Sequence, residues 1–186
     1  MELDGEYHIP ADRMRVWRAL NDPEILRRTV PGCEALEKIS DTEFTARVVL
    51  KIGPVKARFQ GKVTLGDLDP PNGYSITGEG QGGVAGFAKG VAKVTLTEDG
   101  DGTLLRYEAS ATVGGKLAQV GQRMITATSR KLAAEFFTNL ADAIVEARDS
   151  APLETPAPET PAPGLSLWVW VGGVLALIAA LLWTIG

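Results

Sequence analysis

Two hydrophobic periodicities constrain the fold of this chain. Apolar and polar side chains alternate along residues 43–65, whereas along residues 116–147 apolar side chains recur at helical spacing. The first pattern is typical of antiparallel strands with one solvent-exposed face, and the second of an amphipathic helix. Such a long helix must cover its apolar face, and the sheet offers the surface. The sequence therefore predicts an α+β domain in which a curved antiparallel sheet of about seven strands grips a long C-terminal helix.

Local signals place the other elements. Residues 2–9 are predicted as the first strand and Pro10 as the start of a short helix. Asp22 and Pro23 are typical of the cap and first position of a second helix. The predicted apolar face of the long helix consists of Leu117, Val120, Met124, Thr128, Leu132, Phe136, Leu140 and Ile144.

The run GEGQGGVAGFAKG, residues 78–90, resembles a phosphate-binding loop because it contains the spacing G-x-G-x-x-G. A dinucleotide site needs a helix directly after the glycines, but this run joins two predicted strands. Alternate turns of an antiparallel meander lie at one end, so we expect the run, turn 52–55 and junction 113–116 to form one rim. The rim is either a gate or partner contact, or only a twisted hairpin. Its glycines are Gly53, Gly80, Gly82, Gly83, Gly114 and Gly115.

Small residues on the inner side of the later strands predict a cavity. Ala88, Ala92 and Ala109 face a helix that carries Gly121 near its start. A strongly curved sheet cannot meet a straight helix along its whole length, so an apolar void can remain that suits an apolar ligand. A tightly packed small-residue core is the alternative. The predicted ligand contacts are Phe59, Ile76, Phe87, Val94, Tyr107, Leu117, Val120, Gly121, Met124 and Thr128.

Residues suited to catalysis are scarce. His8 is the single histidine, and strand alternation places it on the outer face. Cys33 is the single cysteine and is interpreted as a semi-buried thiol, so neither a disulfide nor a cysteine metal cluster is expected. The predicted inner side offers hydroxyl groups but no carboxylate. We therefore predict binding rather than turnover, with no catalytic residue, no metal site and no covalent cofactor.

Residues 165–185 contain no charged residue and no proline, and they are long enough to span a bilayer as a helix. Trp168 and Trp170 at one end and Trp183 at the other are expected at the two interfaces. A buried core helix is the alternative, but the segment lacks a polar face. With no apolar leader at the N-terminus, we expect a single-pass anchor over 165–186 in the cytoplasmic membrane, with domain 1–148 on the cytoplasmic side.

A proline-rich linker is predicted between domain and anchor. Residues 149–164 contain five prolines, which favour an extended chain and a reach of up to roughly 50 Å. The linker is either a spacer that leaves room for a partner or a passive tether. It also holds three acidic residues, so the formal net charge of −4 for the chain becomes −1 for residues 1–148. A nearly neutral domain makes nucleic acid an unexpected partner.

Three segments resemble the family of the carbon monoxide dehydrogenase G subunit: GEYHIPADRMRVWRALNDPEILRRTVPGCEALEKI, GQGGVAGFAKGVAKVTL and GGKLAQVGQRMI. The resemblance extends over nearly all of residues 1–145. That family belongs to the START-like helix-grip superfamily, also called SRPBCC or polyketide cyclase-like. Its members accompany molybdenum–flavin hydroxylases, and the superfamily's cavities hold lipids and other apolar molecules.

The resemblance implies a membrane-recruiting adaptor for a hydroxylase of the carbon monoxide dehydrogenase type. Together with the expected anchor and cavity, it leads to the hypothesis that the domain binds a respiratory quinone, menaquinone or ubiquinone, and couples the enzyme to the respiratory chain. The quinone head group is expected near the glycine rim. The alternatives are a docking or assembly protein without a ligand and a cyclase-like enzyme.

Overall fold

The computed structural model describes residues 1–150 and shows one antiparallel sheet of seven strands. The strand order is β1-β7-β6-β5-β4-β3-β2, and the curved sheet together with a long C-terminal helix forms a helix-grip fold. The predicted fold class is thus confirmed for the described residues. The strands are Glu2–Ile9 (β1), Cys33–Lys38 (β2), Glu43–Ile52 (β3), Val55–Asp69 (β4), Gly73–Gln81 (β5), Phe87–Asp99 (β6) and Gly102–Gly114 (β7).

Three α-helices and two short 3₁₀ turns complete the described chain. The first two helices lie between β1 and β2, and the third follows β7. The helices are Arg13–Ala19 (α1), Pro23–Thr29 (α2) and Gln122–Ser150 (α3), and the 3₁₀ turns are Gly83–Ala85 and Gly115–Val120.

The predicted helix start at Pro23 is confirmed, and the one at Pro10 is wrong. The Asp22 carboxylate accepts hydrogen bonds from the amides of Glu24 (2.8 Å) and Ile25 (3.3 Å), which caps α2. α1 begins at Arg13 because Asp12, and not Pro10, supplies the capping carboxylate. A side-chain acceptor that satisfies a free amide defines a helix N-terminus more strongly than a proline does.

The long helix begins later than predicted. Residues 115–120 form a 3₁₀ turn, and Gly121 has a φ of +92°, so the α-helix starts only at Gln122. This break rotates the first turn of α3 away from the predicted register. Ile125 is 4% exposed and faces the core, whereas Met124 is 47% exposed. Further along the helix the predicted register is right, since Leu140 and Ile144 are buried.

The hydrophobic core has two parts. The larger cluster joins α1, α2 and the C-terminal half of α3 to the sheet, and Leu105 and Leu140 are fully buried there. The smaller cluster lies elsewhere on the inner face and consists of Phe59, Ala85 and Leu117 with partly buried neighbours. Both clusters and all seven strands lie within residues 1–147, so a chain that ends at Ser150 retains the whole described core.

The predicted membrane span 165–185, its tryptophans, and the linker beyond Ser150 lie outside the described residues. Among the helices of residues 1–150, none combines the length and the apolar character needed to cross a membrane.

Two rim glycines allow a test of the backbone geometry. Gly86 has φ +109° and ψ −149°, and a Cβ atom there would lie 2.9 Å from the Cα atom of Gly115. Gly83 has φ +57°, and a Cβ atom there would meet no atom within 4 Å. We expect Gly86→Ala to lower the free energy of unfolding by about 3 kcal/mol or more, and Gly83→Ala by about 1 kcal/mol.

Urea unfolding of residues 1–150 with each substitution measures the difference between the two sites. Equal losses of stability would contradict the described packing of the rim, because only Gly86 has backbone atoms against it.

Candidate ligand cavity

An apolar cavity of about 290 Å³ lies between the sheet and the two helices α2 and α3. Its walls are hydrocarbon except at one residue, Tyr74. This volume is just below the usual range of small-molecule sites, about 300–1,000 Å³. The lining residues are Leu20, Leu26, Val30, Leu36, Phe44, Ala46, Val63, Leu65, Tyr74, Ile76, Val94, Leu105, Phe136 and Phe137.

The cavity forms where small inner residues of the sheet oppose bulky residues of α3. Ala46 of β3 pairs with Gly61 of β4, so this part of the sheet projects little side-chain volume inward. On the helix, Phe136 and Phe137 pack edge to face with their ring centroids 5.0 Å apart. Two rigid rings cannot collapse into the space left by small residues, so the void persists.

Tyr74 is the only residue of the lining with a polar side chain. It is 5% exposed, and its ring packs edge-on against Trp17 at a centroid distance of 5.4 Å. Burial raises the pKa of Tyr74 far above its ordinary value, so the side chain stays a neutral phenol. The Tyr74 hydroxyl makes no hydrogen bond to another residue of the described chain. It is therefore a free donor in an apolar cavity.

The predicted ligand contacts fall into three groups. Ile76 and Val94 line the cavity. Phe59 and Leu117 belong to the smaller core cluster instead. Tyr107 packs against the larger cluster and stacks with Phe137 at 5.8 Å, but it does not line the cavity.

The remaining predicted contacts lie at the rim or on α3, outside this cavity. Met124 is 47% exposed and Phe87 38% exposed, and a Cβ atom on Gly121 would meet no atom within 4 Å. Met124 lies beside Gly53 of the rim turn, and the roles of Met124, Phe87 and Gly121 as ligand contacts stay predictions. Val120 and Thr128 are half-buried.

Sequence reasoning missed the helical wall of the cavity. Leu26 and Val30 come from α2 and its C-terminal cap, and Phe137 comes from α3. The sequence shows that these residues are apolar, but hydrophobic periodicity does not show which of several apolar residues borders a void. Strand alternation did place the hydroxyl of Tyr74 on the inner side, but Tyr74 was not among the predicted ligand contacts.

The glycine rim is assembled as predicted. A side chain on Gly86 would meet Gly114 and Gly115, which places the 3₁₀ turn Gly83–Ala85 against the β7–α3 junction. A side chain on Gly53 would meet Val120 and Met124. The three turns therefore share one end of the sheet, as the meander connectivity requires.

The other rim glycines differ in their surroundings. Gly82 lies against the ring of Phe59, which leaves no room for a side chain, whereas Gly83 is open. Gly80 lies within β5 and pairs with Gly61. Partner contact at the rim stays a prediction.

A strip of small residues runs along the inner face from the cavity toward the rim. Ala88, Gly90 and Ala92 of β6 lie on the same face as the buried Val94, and Ala109 and Ala111 of β7 lie beside them. All five are only half-buried, and Gly90, Ala92, Ala109 and Ala111 also border shallow pockets on the outer face of the sheet. None of the five lines the cavity, but their small size means that they project little volume toward the helix.

The described residues offer little for catalysis or for metal binding. Within residues 1–150 no group of three His, Cys, Asp or Glu side chains is arranged to hold a metal ion. His8 lies at the surface with its side chain 51% exposed, beside Asp99. Burial raises the pKa of the Cys33 thiol, which disfavours the nucleophilic thiolate.

Comparison with known proteins identifies the fold and the family. The profile of the carbon monoxide dehydrogenase G subunit (CoxG) matches residues 5–145. No curated protein matches the chain. A conserved protein from Geobacillus kaustophilus is similar in structure, with 31% sequence identity, a TM-score of 0.75, and coverage of 79% of this chain and 97% of that one.

More distant structures share the fold alone. A protein from Thermus thermophilus has 18% identity and a TM-score of 0.60, over 79% of this chain and 99% of its own. Protein Ms6760 from Mycobacterium smegmatis has 18% identity and a TM-score of 0.59, over 78% and 92%. These neighbours have the helix-grip architecture of START-like (SRPBCC) proteins. Because the family profile extends over most of the domain, the chain belongs to the CoxG family, that of the carbon monoxide dehydrogenase G subunit.

Proposed function

We propose that this chain is a non-enzymatic accessory protein that binds a respiratory quinone, menaquinone or ubiquinone, in its cavity. The observation that carries the proposal is the apolar cavity of about 290 Å³. A quinone combines a flat ring with an isoprenoid tail, and this hydrocarbon lining suits both parts. The family and fold support the coarser statement, a ligand-binding accessory protein.

We further propose that the partner is a cytoplasmic molybdenum–flavin hydroxylase of the carbon monoxide dehydrogenase type. The family name supports this partner, because it denotes a subunit that accompanies that enzyme. With the anchor expected over residues 165–186, the protein would recruit the hydroxylase to the membrane and couple it to the respiratory chain. The rim glycines, including Gly53 and Gly114, are the proposed contact surface.

The first test concerns the ligand. We expect organic extraction of detergent-free residues 1–150, followed by mass spectrometry, to yield an apolar molecule, or the emptied protein to bind added menaquinone or ubiquinone saturably. Trp17 reports binding, because it is the only tryptophan in residues 1–150 and packs against Tyr74 of the cavity wall. An empty extract without saturable quenching of its fluorescence would reject the ligand and favour a docking protein without one.

The second test fills the cavity. Ala46 lines the void opposite α3, so the ring in Ala46→Phe should occupy the ligand space and weaken binding of a menaquinone with two isoprene units at least about tenfold. Filling a void should change the free energy of unfolding by less than about 2 kcal/mol. Trp17 quenching measures the affinity, and urea unfolding measures the stability.

The control for that test is Val91→Phe. Val91 is 54% exposed on the outer face of β6, so the same ring there should leave the affinity unchanged. Identical quenching curves for Ala46→Phe and the unsubstituted protein would mean that the quinone binds outside this cavity.

The partner requires a separate test with the full chain. We expect affinity-tagged full-length protein to capture a molybdenum–flavin hydroxylase from native membranes, identified by its cofactors and by mass spectrometry. The control is the same chain with residues 165–186 deleted, which should still capture the enzyme from the soluble fraction. Recovery of no such enzyme from either fraction would reject the recruiting role.

A further inference from the structure

Tyr74 is an unpaired polar group in a cavity that is otherwise hydrocarbon. Thirteen of the fourteen lining residues have purely apolar side chains, and Tyr74 is the exception. More than nine-tenths of its surface is buried. The hydroxyl itself keeps some accessible surface, since Arg13 Nε is the only fully buried side-chain polar atom without a partner among the described residues. A ligand oxygen that reaches the hydroxyl can accept a hydrogen bond that the protein leaves unmade. The cavity thus favours a ligand that brings an oxygen to this point.

The position of the Tyr74 ring is fixed from two sides. Trp17 packs edge-on against it, and Val94 is its cross-strand neighbour on β6. A side chain held in this way presents its hydroxyl in one direction, which is what an orienting contact requires. A tyrosine is already a neutral phenol at physiological pH, and burial raises the pKa of Tyr74 further, so the group is a donor.

The location of Tyr74 along β5 determines which end of the ligand it meets. Tyr74 is the second residue of β5, whereas Gln81 ends the strand at the rim. Seven residues of antiparallel strand separate them by roughly 23 Å. The one polar anchor is therefore at the far end of the inner face from the rim, and the small-residue strip that includes Gly90 and Ala92 lies between.

We infer that the Tyr74 hydroxyl donates a hydrogen bond to a carbonyl oxygen of the bound quinone and seats its head group at the end of the cavity away from the rim. This inference rests on the proposed function and adds the orientation. The isoprenoid tail then follows the small-residue strip toward the rim. The orientation is opposite to the one expected from the sequence, which placed the head group at the rim. An enzyme docked on the rim would therefore not meet the head group while it is seated at Tyr74. The cavity would select apolar molecules that carry an oxygen atom at the end that reaches Tyr74.

The two other inner-face tyrosines do not have this role. Tyr7 stacks on Phe137 with ring centroids 4.3 Å apart, and Tyr107 stacks on the same ring. Neither lines the cavity. Tyr7→Phe is thus a matched control, because it removes the same hydroxyl from the same face.

The test compares Tyr74→Phe, Tyr7→Phe and the unsubstituted protein, each as residues 1–150. The probe is a menaquinone with two isoprene units and ¹³C-labelled carbonyl groups. We expect Tyr74→Phe to weaken its binding about 3- to 10-fold, the effect of one net hydrogen bond, and Tyr7→Phe to leave it unchanged. Quenching of Trp17 measures the affinity, and urea unfolding confirms that each variant is folded.

Infrared spectroscopy gives a readout that a merely structural role would not move. In the unsubstituted protein, the labelled carbonyl stretch should shift to lower frequency than in an apolar solvent, and in Tyr74→Phe this shift should disappear. An isoprenoid hydrocarbon of the same length, which has no oxygen, should bind Tyr74→Phe at least as well as the unsubstituted protein.

The outcomes separate this inference from the proposed function. If the unsubstituted protein binds no quinone, both are wrong. If it binds quinone but shows no carbonyl shift, or if Tyr74→Phe keeps both the shift and the affinity, the quinone is bound in another orientation and the inference alone is wrong.

Discussion

The contact between a straight helix and a curved sheet determines the rest of this structure. α3 packs tightly on the sheet in its C-terminal half, where Leu140 and Ile144 are buried in the larger core cluster. Nearer its start, the inner face opposite consists of small residues that remain half-buried. Had that face been built from leucine and phenylalanine, the inner space would be filled. The small side chains preserve a space that the fold geometry creates.

The rim closes this space with backbone rather than with side chains. The 3₁₀ turn Gly83–Ala85 approaches the β7–α3 junction so closely that a side chain on Gly86 would meet main-chain atoms. A 3₁₀ turn holds Leu117 in the smaller cluster. The turn begins at Gly115 and is followed by Gly121, and both glycines have positive φ. Positive φ is accessible to glycine at little cost, so both bends form without strain. The arrangement explains why so many glycines occur here without a phosphate site.

Sequence patterns predicted the sheet better than they predicted the helix. Alternation in β3 and β4 assigned inner and outer sides correctly, because side-chain direction in a strand follows from residue number alone. The helix cap at Asp22 was also predictable from neighbouring residues alone. The start of α3 was not predictable in this way, because the apolar spacing continues through Gly121 and hides the break in the helix. A shift of one position there exchanged Ile125 for Met124 on the inner side.

The cavity itself was predictable as a consequence of small inner residues, but its position was not. Ile76 and Val94 were identified because strand alternation points them inward, and both line it. Phe136, Leu26 and Val30 complete the wall only because α2 and α3 cross the sheet at particular places. Such placements depend on the packing of distant segments, which periodicity within one segment does not encode.

Different groups of the lining account for the affinity and for the orientation of a ligand. Each methylene group buried against hydrocarbon contributes about 0.8 kcal/mol, whereas one hydrogen bond contributes about 1 kcal/mol net. A long isoprenoid ligand would therefore owe most of its affinity to contacts that have no direction and tolerate sliding. Only a fixed donor can distinguish its two ends, and Tyr74 is the one such group in the lining. Such a cavity would bind an apolar molecule in one orientation. As the ligand slides out, each methylene group that leaves the cavity would lose only a small part of the total binding energy.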